Sequence, residues 1–207
     1  MTQTHFYEPA AGHGLSHDPF KAIVAPRPIG WVSTVDREGR PNLAPYSFFN
    51  AVADTPPMLA FSSVGRKDSL ANCEATRAFV WNLATRPLAE RMNESAAPLA
   101  QGVSEFVRAG LTPAPSRVVA PPRVAECPAS LECRVVDIHR LRDIEGKATD
   151  TWLVIGQVVG VHIDRAFLTE DGLFDIFAAR PILRAGYRAD YAEIGRDARF
   201  EMVRPTA

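Results

Sequence analysis

The sequence predicts a mainly β fold: an antiparallel barrel, closed or nearly closed, with short peripheral helices. Three observations carry this expectation. At least six runs rich in Val, Ile, Phe and Trp are short, strand-like and bounded by turn residues. Only two or three stretches have helical spacing, and all of them are short. The strands do not alternate with helices, which disfavours a doubly wound parallel sheet. The 207 residues suffice for one domain with a substantial core. No internal repeat or linker is visible, so 1–18 reads as a loose polar arm and 19–207 as a single domain.

The elements follow in order. In the arm, His13 and His17 are four apart, but Gly12 and Gly14 weaken any helix between them and no third ligand is near, so no metal site is expected. Ile29–Val35 reads as a strand, Asp36–Arg40 as a turn with Gly39 at positive φ, and Asn42–Asn50 as its hairpin partner. Alternation along that partner puts Ser47 and Phe49 on one face and Tyr46 and Phe48 on the other, both buried. Asp54–Pro57 breaks the chain before a third strand, Met58–Ser63. Asp68 or Ser69 is placed to cap a helix reaching Arg77. A strand over Phe79–Ala84 and a helix over about Pro87–Ala96 come next, the helix supported by Leu88 and Met92 at i and i+4. Residues 97–122 are rich in Pro and Ala without a period, a long connection of the kind that often carries function. Ser130–Leu141 and Thr151–Asp164 are long strands joined by a turn at Asp143–Lys147, and Gly156 and Gly160 mark bulges in the second. The tail, ARPILRAGYRADYAEIG, reads as an irregular segment laid over the barrel.

Composition excludes several function classes. A net charge of −1 with interspersed signs offers no field for nucleic acid or an anionic membrane. No apolar run spans a bilayer; the best, Leu153–Ile163, contains Gln157 and His162. The N-terminus lacks an apolar signal core. Three cysteines, Cys73, Cys127 and Cys133, without CxxC spacing fit neither a disulfide framework nor a zinc knuckle. A reducing cytoplasm is the expected compartment.

The chemistry concentrates in residues 26–72. Ser62, Ser63 and Ser69 offer hydroxyls, Arg66 and Lys67 offer charge, and the helix after Asp68 offers free N–H groups, a combination suited to a phosphate. The bland alternative is an ordinary Ser-rich strand end with a capped helix. Asn42, Ser47 and Asn50 lie around Tyr46, Phe48 and Phe49, where amides and hydroxyls would meet the edge of an aromatic ring or simply cap turns. There is no Gly-x-Gly-x-x-Gly after a strand, no phosphate-loop motif, no His-Glu-x-x-His and no Gly-x-Ser-x-Gly. His162, on an apolar strand, reads as a satisfied histidine, and no catalytic residue is assigned.

Taken together, PRPIGWVSTVDREGRPNLAPYSFFNAVADTPPMLAFSS, KDSLANCEATRAFVWNLAT and CPASLECRVVDI resemble the flavin reductase-like, FMN-binding split-barrel family. The tail DIFAARPILRAGYRADYAEIG is similar to its flavoredoxin-like or nitrilotriacetate-monooxygenase component-B-like branch. The likeness runs from about Asp18 to Pro205. It implies a six-stranded split barrel, a homodimer with FMN near the subunit interface, and hydride transfer from NADH or NADPH to flavin. By motif position it places Ser33, Thr34, Ser47 and Asn50 near the flavin, Ser62, Ser63, Lys67 and Ser69 on the phosphate side, and Arg184 and Tyr187 in a tail near the ring. It implies an NAD(P)H-dependent flavin oxidoreductase, one reading being supply of reduced flavin to a partner monooxygenase. The alternatives left open are a flavin-binding electron carrier and a flavin-free barrel acting as an assembly module.

Overall fold

A computed structural model describes residues 3–98 and 103–205. The strands are β1 (Arg27–Pro28), β2 (Gly30–Val35), β3 (Pro41–Tyr46), β4 (Phe49–Asp54), β5 (Pro57–Val64), β6 (Ala78–Asn82), β7 (Pro113–Ala114), β8 (Arg123–Val124), β9 (Ala129–Arg142), β10 (Ala148–Ile163), β11 (Ile182–Arg184) and β12 (Tyr191–Glu193). The helices are short: α1 (Phe20–Ile23), α2 (Asp68–Thr76), α3 (Ala89–Glu94), α4 (Glu105–Arg108) and α5 (Ile176–Ala179). No helix among the described residues is long and apolar enough to cross a membrane.

The main sheet is antiparallel throughout, in the order β3-β2-β6-β9-β10-β5-β4. Its two ends, β3 and β4, are consecutive in the chain and separated only by Ser47 and Phe48, so the sheet closes on itself through that bend. With β3 and β4 counted as halves of one bent strand, six strands form the ring, as the sequence predicts.

The bend also corrects the expected alternation. Closing the ring turns the chain at Ser47–Phe48, and the period of two restarts. Tyr46 and Phe49 are therefore both buried, whereas Phe48 is 39% exposed. The first hairpin forms as expected: Asp36 Oδ1 accepts from the amides of Glu38 and Arg40, and Gly39 takes φ +81°.

Two clusters make the core. Val32, Phe49, Leu59, Phe61, Phe79, Cys133 and Val154 fill the barrel, with Leu70 and Cys73 of α2 packed among them. Trp31, Leu43, Met92, Phe106, Leu111, Val124 and Ile182 form the other cluster, outside the barrel wall. The stretch 97–122 is thus not a bare loop. It supplies α4 and β7, which pairs with β8 just beyond it, and anchors Phe106 and Leu111, although 99–102 lie outside the described residues. The tail is more regular than expected: β11 pairs with both β1 and β12 in a three-stranded sheet. The helix expected over Pro87–Ala96 divides into a 3-10 turn at Arg86–Leu88 and α3.

Gly156 and Gly160 sit at register shifts between β9 and β10, as expected of bulges. Gly156 has a further reason to lack a side chain. A Cβ there would lie 2.4 Å from Cε1 of Phe79, which is fully buried and has no room to retreat. Gly156→Ala is therefore expected to lower stability by about 1–3 kcal/mol, the usual cost of overpacking a filled core. Urea unfolding checks this, and an unchanged midpoint would mean that the ring is free to shift.

Candidate functional site

A cavity of about 950 Å³ opens between β3, β5 and the start of α2. Pro41–Tyr46 and the Ser47–Phe48 bend form one wall. Ser62 and Val64 of β5 form another, and Lys67, Asp68, Ser69 and Asn72 a third. Ser95–Pro98, after α3, and Val103–Glu105 complete the lining. The volume is in the range of small-molecule and cofactor sites.

The cation arrangement differs from the expected one. Arg66 turns away and pairs with Glu74 on the outside of α2. Arg40 lines the cavity but is paired with Asp36 at 2.6 Å and Glu38 at 3.1 Å. Among the described residues, Lys67 is the lining cation with no acidic partner. It also occupies the N-cap position of α2, and no side chain caps that helix. Neither Asp68 nor Ser69 is the cap, because the helix begins at Asp68, one residue earlier than a cap there requires. The first-turn amides are thus left without a side-chain acceptor beside a lining lysine.

A polar network supports the floor. Asn42 Nδ2 donates to Ser69 Oγ at 2.9 Å and to Thr34 Oγ1 at 3.2 Å, and Asn72 Nδ2 donates to Thr34 Oγ1 at 3.0 Å. Burial pushes the Tyr46 phenol up, while hydrogen bonding from Ser69 and Ser63 works against it. Burial likewise pushes up the Glu105 carboxyl, which accepts from the amide of Leu43. These hydrogen bonds hold Asn42, Ser69, Asn72 and Glu105 in place along the wall.

Of the sequence-predicted site residues, the structure brings Ser47, Ser62, Lys67 and Ser69 to this cavity. Thr34 is buried behind it as the acceptor for Asn42 and Asn72. Ser33 lies on the other face of β2, as a period of two requires of neighbours, and its hydroxyl donates to the carbonyl of Pro122. Ser63 is buried and donates to Gly65 O at 3.1 Å. Asn50 is exposed on β4, where its Oδ1 accepts from the amide of Ala51. Arg184 lies over the Tyr191 ring and Tyr187 beside His17, both away from the lining.

Sequence reasoning gave Asn42 only a general place and missed Asn72. The available signal was Asn72 standing three residues after Ser69, on the same helix face. The three thiols are free and buried. Burial pushes Cys73 up to about 12 and the other two higher still, so none is a thiolate at neutral pH.

Comparison with known proteins extends this geometry. The family profile of the flavin reductase like domain matches residues 24–178. An uncharacterized protein of Aquifex aeolicus is 35% identical over 169 residues, covering 79% of this chain and 83% of the relative. The crystal structure of nitrilotriacetate monooxygenase component B from Bacillus cereus superposes with a TM-score of 0.80 at 33% identity, over 88% of this chain and 90% of that one. Flavoredoxin of Desulfovibrio vulgaris superposes with a TM-score of 0.73 at 25% identity, over 88% and 91%.

Proposed function

The chain belongs to the flavin reductase like domain family, and we propose that it binds FMN in the β3–β5–α2 cavity and serves as an NAD(P)H-dependent flavin oxidoreductase. The carrying observation is the uncapped first turn of α2 beside Lys67, on the wall of a cavity of about 950 Å³. Open helix amides beside an unpartnered cation favour a phosphate. An aromatic ring system fits the remaining volume, between the Ser47–Phe48 bend and Ser62.

FMN, when bound, supplies the hydride acceptor, and the protein's part is to bind and orient it. Lys67, the Asp68 and Ser69 amides and the Ser69 hydroxyl would hold the phosphate. Asn42 donates to Ser69 Oγ and so fixes the position of that hydroxyl at the start of α2. Ser47 and Ser62 would meet the ring edge, where a donor stabilises developing negative charge. No protein acid or base is assigned, because hydride acceptance requires none. NADH and NADPH remain alternative donors.

The same reading carries a homodimer. Beyond Phe49, β4 is exposed through Ala51, Val52 and Ala53, an apolar strand surface suited to a second copy. Likeness to nitrilotriacetate monooxygenase component B supports delivery of reduced flavin to a separate monooxygenase. Likeness to a flavoredoxin supports the second reading, an electron carrier. Visible spectra of the purified protein with FMN, before and after anaerobic NADH or NADPH, distinguish these. We expect flavin bands that bleach on addition. Bands that persist with both nicotinamides favour the carrier, and failure to retain flavin at all overturns the proposal.

A further inference from the structure

On the far side of β9 lies a second cavity, of about 490 Å³, with no lining residue in common with the first. It is bounded by Arg117, Val118 and the Arg123–Pro128 stretch on one side and by Gly160–Asp164 at the end of β10 on the other. Glu132 of β9, fully buried, forms its floor.

The charges here are of two kinds. The acids are occupied. Glu132 accepts from the amides of Arg117 at 2.8 Å, Val118 at 2.6 Å and Val119 at 2.9 Å, and from His162 Nε2 at 2.5 Å. Asp164 accepts from the amide of Ala166. The two arginines are not occupied. Among the described residues, neither the Arg117 nor the Arg123 guanidinium makes an ion pair or donates a side-chain hydrogen bond, and Nε of Arg123 is buried with no partner at all. A guanidinium with no acidic partner keeps its outer N–H donors free for a carboxylate. Val118, Ala125, Pro128, Val161 and Ile163 add an apolar portion to the wall beside these polar groups.

We propose that this cavity binds a small organic carboxylate, its carboxyl taken by Arg117 and Arg123 and its apolar body by the surrounding wall. The planar guanidinium fork matches a carboxylate better than a point charge does. The apolar portion, Val118, Ala125, Pro128, Val161 and Ile163, gives the body of an organic acid a contact that inorganic phosphate lacks. Glu132 does not repel such a ligand strongly, because its oxygens are enclosed by three amides and an imidazole. It also fixes the backbone of Arg117 at the rim. The site stands apart from the flavin cavity and does not rest on the flavin reading.

The test uses the full-length, FMN-loaded protein and calorimetric titration with benzoate, benzyl alcohol and phosphate as probes. We expect saturable benzoate binding, with benzyl alcohol roughly tenfold or more weaker, since it lacks the charge-assisted hydrogen bonds. Arg123→Leu and Arg117→Leu are each expected to weaken benzoate by a similar factor and to leave FMN affinity unchanged. Arg117 is exposed at the rim, so its variant remains informative if the Arg123 variant folds poorly. Equal affinity for the alcohol, no saturable benzoate binding, or undiminished binding in both folded variants overturns the proposal. Phosphate binding as tightly as benzoate overturns the organic-acid assignment.

Discussion

Glu132→Ala is expected to lower folding stability by about 3 kcal/mol or more, the cost of breaking a buried, fully hydrogen-bonded charge. Its carboxylate is fully buried and holds four donors: the consecutive amides of residues 117–119 and the ring of His162. Without it, the segment leading to β8 loses its attachment to the barrel, and His162 loses its hydrogen-bond partner. Glu132→Gln keeps the shape and part of the hydrogen bonding, so a smaller loss is expected. His162→Ala leaves the three amides satisfied and should cost least. The pH dependence follows from the same contacts. Burial pushes the carboxyl up, but the Arg117 amide, the His162 ring and the amides of Val118 and Val119 outweigh it and hold it down at about 2. An unfolded glutamate titrates near about 4.3. The folded value is the lower one, so this contribution is full above about pH 4.3 and is lost as pH falls toward 2. Thermal unfolding of the unaltered chain and Glu132→Gln should therefore converge on acidification through that window. A gap that stays constant would assign the stabilisation to shape rather than charge.

The legible parts of this chain were those governed by local rules. Gly39 and Gly146 announced their turns because positive φ there suits glycine, and both adopt it. Gly156 and Gly160 announced bulges because a gap in a β-branched run has few other uses. The bend at Ser47–Phe48 was hidden, since the chain turns there to close a ring in which β5 is placed by its long-range pairing with β10. The tail's small sheet was hidden for the same reason: β11 becomes a strand because β1, more than 150 residues earlier, lies beside it. Within the flavin cavity, the serines and Lys67 could be named from the phosphate chemistry they offer. The fate of Arg66 could not, because its neighbour Glu74 lies two helical turns on and the sequence does not say which cation it will take. Glu132 and His162 stood thirty residues apart on strands whose bulged register alone brings them into contact. A glutamate between Leu131 and Cys133 was the available signal: a charge in a core strand demands partners.

Lys67→Ala is expected to weaken FMN binding by roughly one to two decades, from loss of a charge-assisted hydrogen bond to an anion of about 1.5–3 kcal/mol. The expectation rests on Lys67 lining the cavity at the N-cap of α2 with no acidic partner. Such a cation carries no internal ion pair whose loss would complicate the result, and its exposed side chain makes a folding defect small. Arg66→Ala is the matched control. It removes the same charge from the adjacent residue, but that charge is already engaged by Glu74 outside the cavity, so FMN affinity should hardly change. Ser69→Ala removes a neutral donor and should cost less than Lys67→Ala. Asn42→Ala should act through Ser69, because it frees the hydroxyl that Asn42 now orients, and the Asn42 and Ser69 losses should then not add in the double variant. Fluorescence titration of FMN, with riboflavin as the phosphate-free comparison, separates the possibilities. If Lys67→Ala weakens FMN and leaves riboflavin unchanged, the lysine acts on the phosphate. If both weaken alike, it acts on the ring or the fold. If neither moves while Arg66→Ala does, the phosphate lies on the outer side of α2 and the cavity is not the flavin site.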